Sequence, residues 1–308
     1  MAKPLVAVDG ASGTVGLTLM ARLAGRDDIE VTPLGSKTPA DERQAVLERA
    51  SVAVLCLPEA AARAAVASAP KGLRILDASP AHRTAEGWVY GLPELSKDQP
   101  GAIRHADRVA NPGCYATGAI LLLRPFAKEL ADADYPVSVT AVGGYTSGGK
   151  KMIEAFAADP FGYRLYGLDL NHRHVPEIVR FAQLKSTPVF MPAVAGYARG
   201  TLVQVPLHLT ALGLRLEEVV ERLQGAYRLT RVHVDVDTDT RHLDARCTGT
   251  NDEDGVFVSV HPSVDSSCLV LSAAFDNLGK GAAGAALNNV LLMLGSSLPF
   301  AGTNGRRS

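Results

Sequence analysis

The sequence predicts an α/β fold with two sheets. The first is an N-terminal parallel, doubly wound sheet of Rossmann type. The second lies in an α+β substrate and dimerisation domain with a mixed, largely antiparallel sheet. Three observations carry this. Short apolar runs alternate with helical patterns through the first third of the chain, which implies parallel strands with crossover helices. From residue 137 onward the strands are long and few helices separate them, which implies antiparallel or mixed pairing. A small-residue helix then ends the pattern near residue 294. With 308 residues, 47% hydrophobic and 20% charged, the chain has material for two sizeable cores.

The same figures limit function. A formal net charge of −1 offers no attraction to nucleic acid or to a membrane surface. The first residues lack a signal-peptide apolar region, and no run reaches the length of a membrane span. Cys56, Cys114, Cys247 and Cys268 show neither metal-ligand spacing nor a disulfide framework, so a reduced, cytoplasmic setting is expected. No internal repeat is visible, and the tail from Gly302 reads as frayed.

Taken in order, residues 5–9 form a buried strand, and Gly10-Ala-Ser-Gly-Thr-Val-Gly16 follows at once. Leu17, Met20, Ala21 and Leu23 continue at helical spacing. Strand, glycine turn and helix form the context of a dinucleotide site, here with a GxxGxxG spacing. Gly10, Ser12, Gly13, Thr14 and Val15 are the cofactor candidates, because helix-start amides hold a pyrophosphate. The second strand, 30–35, ends in Ser36 and Lys37 with no acidic residue to hold a ribose 2′-hydroxyl. Those two residues suit a 2′-phosphate, which points to NADP. A helix at 41–49, strands at 52–57 and 74–77 and a helix at 59–69 extend the alternation. Ligands in such sheets sit beyond the carboxyl ends of the strands. That rule gathers Pro58-Glu59, the 79–83 segment and 111–114 beside the glycine turn, and makes Arg83 a candidate anion clamp.

Asn111-Pro-Gly-Cys-Tyr115 places Cys114 where a loop enters an apolar helix. The positive end of the helix dipole there favours a thiolate, the nucleophilic form. The competing reading is a cysteine packed as a small hydrophobe.

A strand at 137–142 runs into Gly143-Gly-Tyr-Thr-Ser-Gly-Gly149, a loop able to lie close to a cofactor, and a helix or turn resumes at 150. His172 and His174 precede a helix that Pro176 can start. No third ligand stands at suitable spacing, so no metal is expected. A histidine is the usual proton acceptor for a cysteine nucleophile. Arg199, just before a strand at 201–209, is a second anion candidate. A helix at 216–227 and strands at 232–236, 256–261 and 268–275 complete the second sheet, one face of which suits a subunit interface. Asn277 and Lys280 open the last helix, which is expected to return to the first domain with its start near the cofactor.

These segments resemble the N-acetyl-gamma-glutamyl-phosphate reductase family in its shorter form. The carriers are the glycine turn, Asp77-Ala-Ser-Pro-Ala-His-Arg83, Tyr90-Gly-Leu-Pro-Glu-Leu95, Asn111-Pro-Gly-Cys-Tyr-Ala-Thr117, His172-Arg-His-Val-Pro-Glu177, Arg199-Gly200 and Asp276-Asn-Leu-Gly-Lys-Gly281. The wider group, which includes aspartate-semialdehyde dehydrogenase, shares the plan but not these segments. Ala193 stands where the longer form has a histidine, which leaves the 172/174 pair.

The resemblance implies reductive dephosphorylation of N-acetyl-glutamyl 5-phosphate in arginine biosynthesis. Cys114 would be acylated with loss of phosphate, and NADPH would reduce the thioester to the semialdehyde. His174 would be the acid/base, with His172 second. Ser147, Gly148 and Asn277 would touch the cofactor, and Arg83, Asn111, Arg199 and Glu177 the substrate. A homodimer or homotetramer would form. Nucleotide and substrate domains would divide at 114, with 277–308 returning to the first. Three rivals stand beside it: reduction of another acyl phosphate, of aspartyl or aminoadipyl type; a non-catalytic NADP-binding sensor; and a structural scaffold, which the clustered polar residues at strand ends argue against.

Overall fold

The structure, a computed structural model, describes residues 2–235, 243–244 and 254–296. Cys247 and the tail from 302 lie outside them. Strands β1 (Leu5–Asp9), β2 (Glu30–Leu34), β3 (Val52–Leu55), β4 (Arg74–Asp77), β5 (Val89–Tyr90) and β6 (Arg108–Ala110) form a six-stranded sheet in the order β2-β1-β3-β4-β6-β5. Every pair in it is parallel.

Alternate residues of these strands serve two cores, as the period of a strand requires. Val6, Val8, Val52 and Val54 face one side with Leu19, Leu23 and the last helix, Gly284–Met293. Ala7, Ala53, Leu55 and Ile75 face the other, against Ala62. The last helix thus returns to the first sheet through Ala286, Val290 and Leu292.

The second sheet holds seven strands: β7 (Ser138–Gly144), β8 (Tyr163–Leu165), β9 (Val189–Ala195), β10 (Thr201–His208), β11 (Val232–Asp235), β12 (Val256–Pro262) and β13 (Cys268–Phe275). Their order is β11-β12-β13-β10-β7-β9-β8. β7–β9 and β11–β12 run parallel, while β10–β13, β10–β7, β12–β13 and β8–β9 are antiparallel. The sheet is therefore mixed, with antiparallel pairs in the majority.

β9 was not legible as a strand because Pro188 and Pro192 flank and interrupt it. Pro192 lies opposite Ala141 of the parallel neighbour, and its carbonyl still accepts the Tyr166 amide on the other side. Proline removes only the donor, so the strand survives with one bond fewer.

The helix Cys114–Leu123 joins the two halves. Every residue after Cys114 in it is buried, and it packs on β10 and β13. A helix apolar all round must be enclosed on all sides. Its fixed position makes its first residue a rigid point between the sheets.

Candidate active site

The carboxyl ends of β1, β3, β4 and β6 open on one cavity of about 550 Å³. Its wall includes Gly13, Thr14 and Val15 from the first turn, Arg83, Asn111 and Cys114, Ser147 and Gly148, His174, and Asn277. Sequence distance is large and spatial distance small, as the strand-end rule requires.

Two glycines of the first turn serve different needs. Gly10 has φ +82°, and a Cβ there would lie 2.3 Å from the Cys56 carbonyl oxygen, so the protein itself demands glycine. Gly13 lies on the cavity wall, and its nearest atom to an added Cβ is 3.4 Å away. Internal packing leaves room for a Cβ at 13, so the glycine there keeps the backbone open to close approach from the cavity. The helix Thr14–Leu23 begins there without a side-chain cap, leaving first-turn amides for an anion. These features fit a dinucleotide pyrophosphate. Ser12 is exposed at the tip of the turn, off the cavity wall. Ser36 and Lys37 are exposed just beyond β2 and also lie off that wall. Arg43, which read as one more charge on a polar helix, reaches across to donate to the Gly35 carbonyl at 2.7 Å and to Asp9.

The nucleophile loop is built on Glu177. This carboxylate is 1% exposed and takes bonds from Arg83 Nη1 at 2.9 Å, the Tyr90 hydroxyl at 2.7 Å and the Gly113 amide at 3.0 Å. It is not among the residues lining the cavity. Its oxygens hold Arg83, Tyr90 and the loop before Cys114. Gly113 allows this closeness, since a Cβ there would lie 2.2 Å from His174 Nε2 and 2.6 Å from Arg83 Nη1.

Arg83 is buried, donates its Nε to the Asn111 carbonyl at 3.0 Å and reaches the cavity. Asp77 holds the loop that delivers it, through the Ser79 hydroxyl at 2.9 Å and His82 Nδ1 at 2.6 Å. The Asn111 amide donates to the Ala282 carbonyl and its oxygen accepts from Asn289, so the side chain ties the last helix to the loop.

Arg199 stands elsewhere. It pairs with Asp276 through Nη2 at 2.7 Å and is not among the residues lining the cavity. Asn277 lines the cavity, but its amide oxygen accepts the Gly200 amide and its nitrogen donates to the Thr146 hydroxyl. Lys280 is buried on Glu94 at 2.6 Å, not turned toward a cofactor.

The two histidines separate. His174 is buried on the wall of the main cavity, with Nε2 4.0 Å from Glu177 Oε1 and Nδ1 unbonded. Burial, with Arg83 beside it, holds its pKa well below the usual imidazole range. His172 accepts the His174 amide on Nδ1 at 3.1 Å and lines a second cavity. Burial, then Arg173, lowers its pKa to about 4. Both rings are therefore neutral near pH 7, the form that accepts a proton.

The helix-start position does not leave Cys114 as a thiolate. Burial pushes the thiol up; the Tyr115 amide, Arg83 and Arg173 pull it down but do not win. Cys56 also lines the cavity, and burial pushes its thiol to about 12. The rate of Cys114 alkylation by iodoacetamide should accordingly keep rising above the ordinary thiol pKa, followed by peptide mass spectrometry. A plateau below pH 7 would instead indicate a preformed ion pair with His174.

Arg173 carries no signal in the sequence beyond its place between two histidines. It lines both cavities. Among the described residues, no group of three or more His, Cys, Asp or Glu is placed to hold a metal, and no helix is long and apolar enough to cross a membrane.

Comparison with known proteins agrees with this geometry. The family model for the semialdehyde dehydrogenase NAD-binding domain matches residues 38–103, and that for the semialdehyde dehydrogenase dimerisation domain matches 114–277. An N-acetyl-gamma-glutamyl-phosphate reductase of Burkholderia lata is 44% identical, covering 96% of this chain and 98% of its own. One from Rhizobium meliloti is 42% identical, over 95% and 99%. Among solved structures, aspartate semialdehyde dehydrogenase II of Vibrio cholerae superposes with a TM-score of 0.75 at 17% identity, over 96% of this chain and all of the other. That likeness establishes the fold alone. The full-length matches in sequence establish more: the chain belongs to the N-acetyl-gamma-glutamyl-phosphate reductase family.

Proposed function

We propose that the protein reduces N-acetyl-L-glutamyl 5-phosphate to N-acetyl-L-glutamate 5-semialdehyde with NADPH, in arginine biosynthesis, through a thioester on Cys114. One observation carries this reading: Cys114, His174, Arg83 and the glycine turn open on one cavity. Neutral His174 accepts the thiol proton, and Sγ attacks the acyl carbon. The acyl C–O bond breaks, and phosphate leaves along Arg83 with that proton. Amides of the first turn of the Cys114 helix face the developing oxyanion. The reduced nicotinamide, when bound, supplies the hydride that takes the thioester to the aldehyde level. His174 then returns a solvent-derived proton to the departing thiolate.

Thr14, Val15 and the 147–148 turn would hold the dinucleotide, with Ser36 and Lys37 on its 2′-phosphate. Lys37→Glu is expected to raise the KM for NADP about 10-fold while changing NAD use little, measured by initial rates with each. An equal effect on both would remove Lys37 from phosphate recognition. In this reading, residues 1–114 bind nucleotide, 115–276 carry substrate and the oligomer contact, and 277–308 close the first domain. A cytoplasmic homodimer or homotetramer completes it, and light scattering measures its size.

The test is the reverse reaction: phosphate-dependent reduction of NADP by N-acetyl-glutamate semialdehyde. Turnover that requires phosphate supports the proposal. NADP binding without turnover on this aldehyde rejects it.

A further inference from the structure

Beside the main cavity lies a second one of about 280 Å³, joined to it through Ser147, Gly148 and Arg173. Its other walls include Tyr115, Tyr166, Asn171 and His172. Arg83, Arg199 and Arg173 differ in their engagement. Arg83 is committed to Glu177 and the Asn111 carbonyl. Arg199 is held by Asp276. Arg173 makes no hydrogen bond or ion pair among the described residues, although the residue lines both cavities.

We propose that the second cavity holds the remote half of an N-acylated, carboxylate-bearing acyl phosphate, with Arg173 as the receptor of its carboxylate. This rests on the acyl phosphate chemistry proposed for Cys114. Charge on the walls selects the substrate class. No Asp or Glu lines this cavity, and His172 is neutral near pH 7. A free α-ammonium group would meet the Arg173 cation with no carboxylate on the walls, Asp169 acting on His172 from outside them, whereas a neutral acylamide meets Asn171 and aromatic side chains. A carboxylate gains a charge-assisted, bidentate partner. Arg173 thus separates N-acylated acidic substrates from the aminated aspartyl and aminoadipyl phosphates that undergo the same chemistry.

The experiment compares two aldehydes, N-acetyl-glutamate semialdehyde and 4-acetamidobutanal, which lacks only the carboxylate. Wild type is expected to favour the first by about 10- to 100-fold in kcat/KM. Arg173→Leu should collapse that ratio to below about threefold, chiefly through KM, and Arg173→Lys should restore part of it. An equal loss on both aldehydes, or no preference in wild type, overturns the proposal.

If neither aldehyde turns over, the proposed function fails, and a second readout still decides the pocket. N-acetyl-L-glutamate should protect Cys114 from iodoacetamide better than 4-acetamidobutyrate in wild type, and no better in Arg173→Leu. Equal protection by both ligands in wild type would count against a carboxylate site at Arg173.

Discussion

Cys114→Ala is expected to lower kcat by at least about 10⁴-fold while leaving NADP binding intact. The sulfur is the acyl acceptor in the proposed reaction, and among the described residues no other thiol is placed to replace it. Cys56 lines the same cavity, but burial raises its thiol to about 12, and it sits beside the glycine turn rather than beside His174. Cys268 lies on β13 and does not line the cavity. The measurement is steady-state turnover together with NADP titration by fluorescence. Residual activity above about 1% of wild type would place the reaction outside covalent catalysis. The fold should tolerate the change, because alanine keeps the Cβ of a residue that lines the cavity.

Glu177→Ala is expected to cost about 3–5 kcal/mol of stability, because it strips a buried cation of its partner. Arg83 is 9% exposed and Glu177 1%, so neither charge is relieved by water. The same change leaves the Gly113 amide and the Tyr90 hydroxyl without their acceptor. Buried groups without partners cost more than the bonds themselves contribute. Urea unfolding at neutral pH measures the loss. A change below about 1 kcal/mol would mean that the loop before Cys114 is held by other contacts. Glu177→Gln keeps the shape and removes the charge; it should retain more stability than the alanine variant but lose turnover, since Arg83 and the nucleophile loop shift together.

Much of this was legible in the sequence, for identifiable reasons. The first sheet declares itself because strands buried on both faces read as continuous apolar runs, as in Val52–Leu55. The helix Leu216–Tyr227 has clean amphipathic spacing. Cys114 stands out because Pro112 and Gly113 break the chain before an apolar helix.

What was not legible depends on who pairs with whom. Glu177, Arg199 and Arg173 are all charged residues near site motifs, and nothing local separates them. Only the folded chain brings Asp276 to Arg199, and Arg83, Tyr90 and Gly113 to Glu177, while leaving Arg173 on the cavity walls. Lys280 was misplaced in the same way, since its partner Glu94 is distant in sequence. The state of Cys114 was misjudged because the helix dipole is a local feature, whereas burial by loops from both domains is not.

The covalent step is tested most directly by the mass of the Cys114 peptide after mixing with N-acetyl-glutamyl phosphate in the absence of NADPH. The account predicts a stoichiometric N-acetylglutamyl adduct on Cys114, matched by an equal release of phosphate, and neither in Cys114→Ala. Phosphate release without an adduct, or an adduct on another residue, would contradict it.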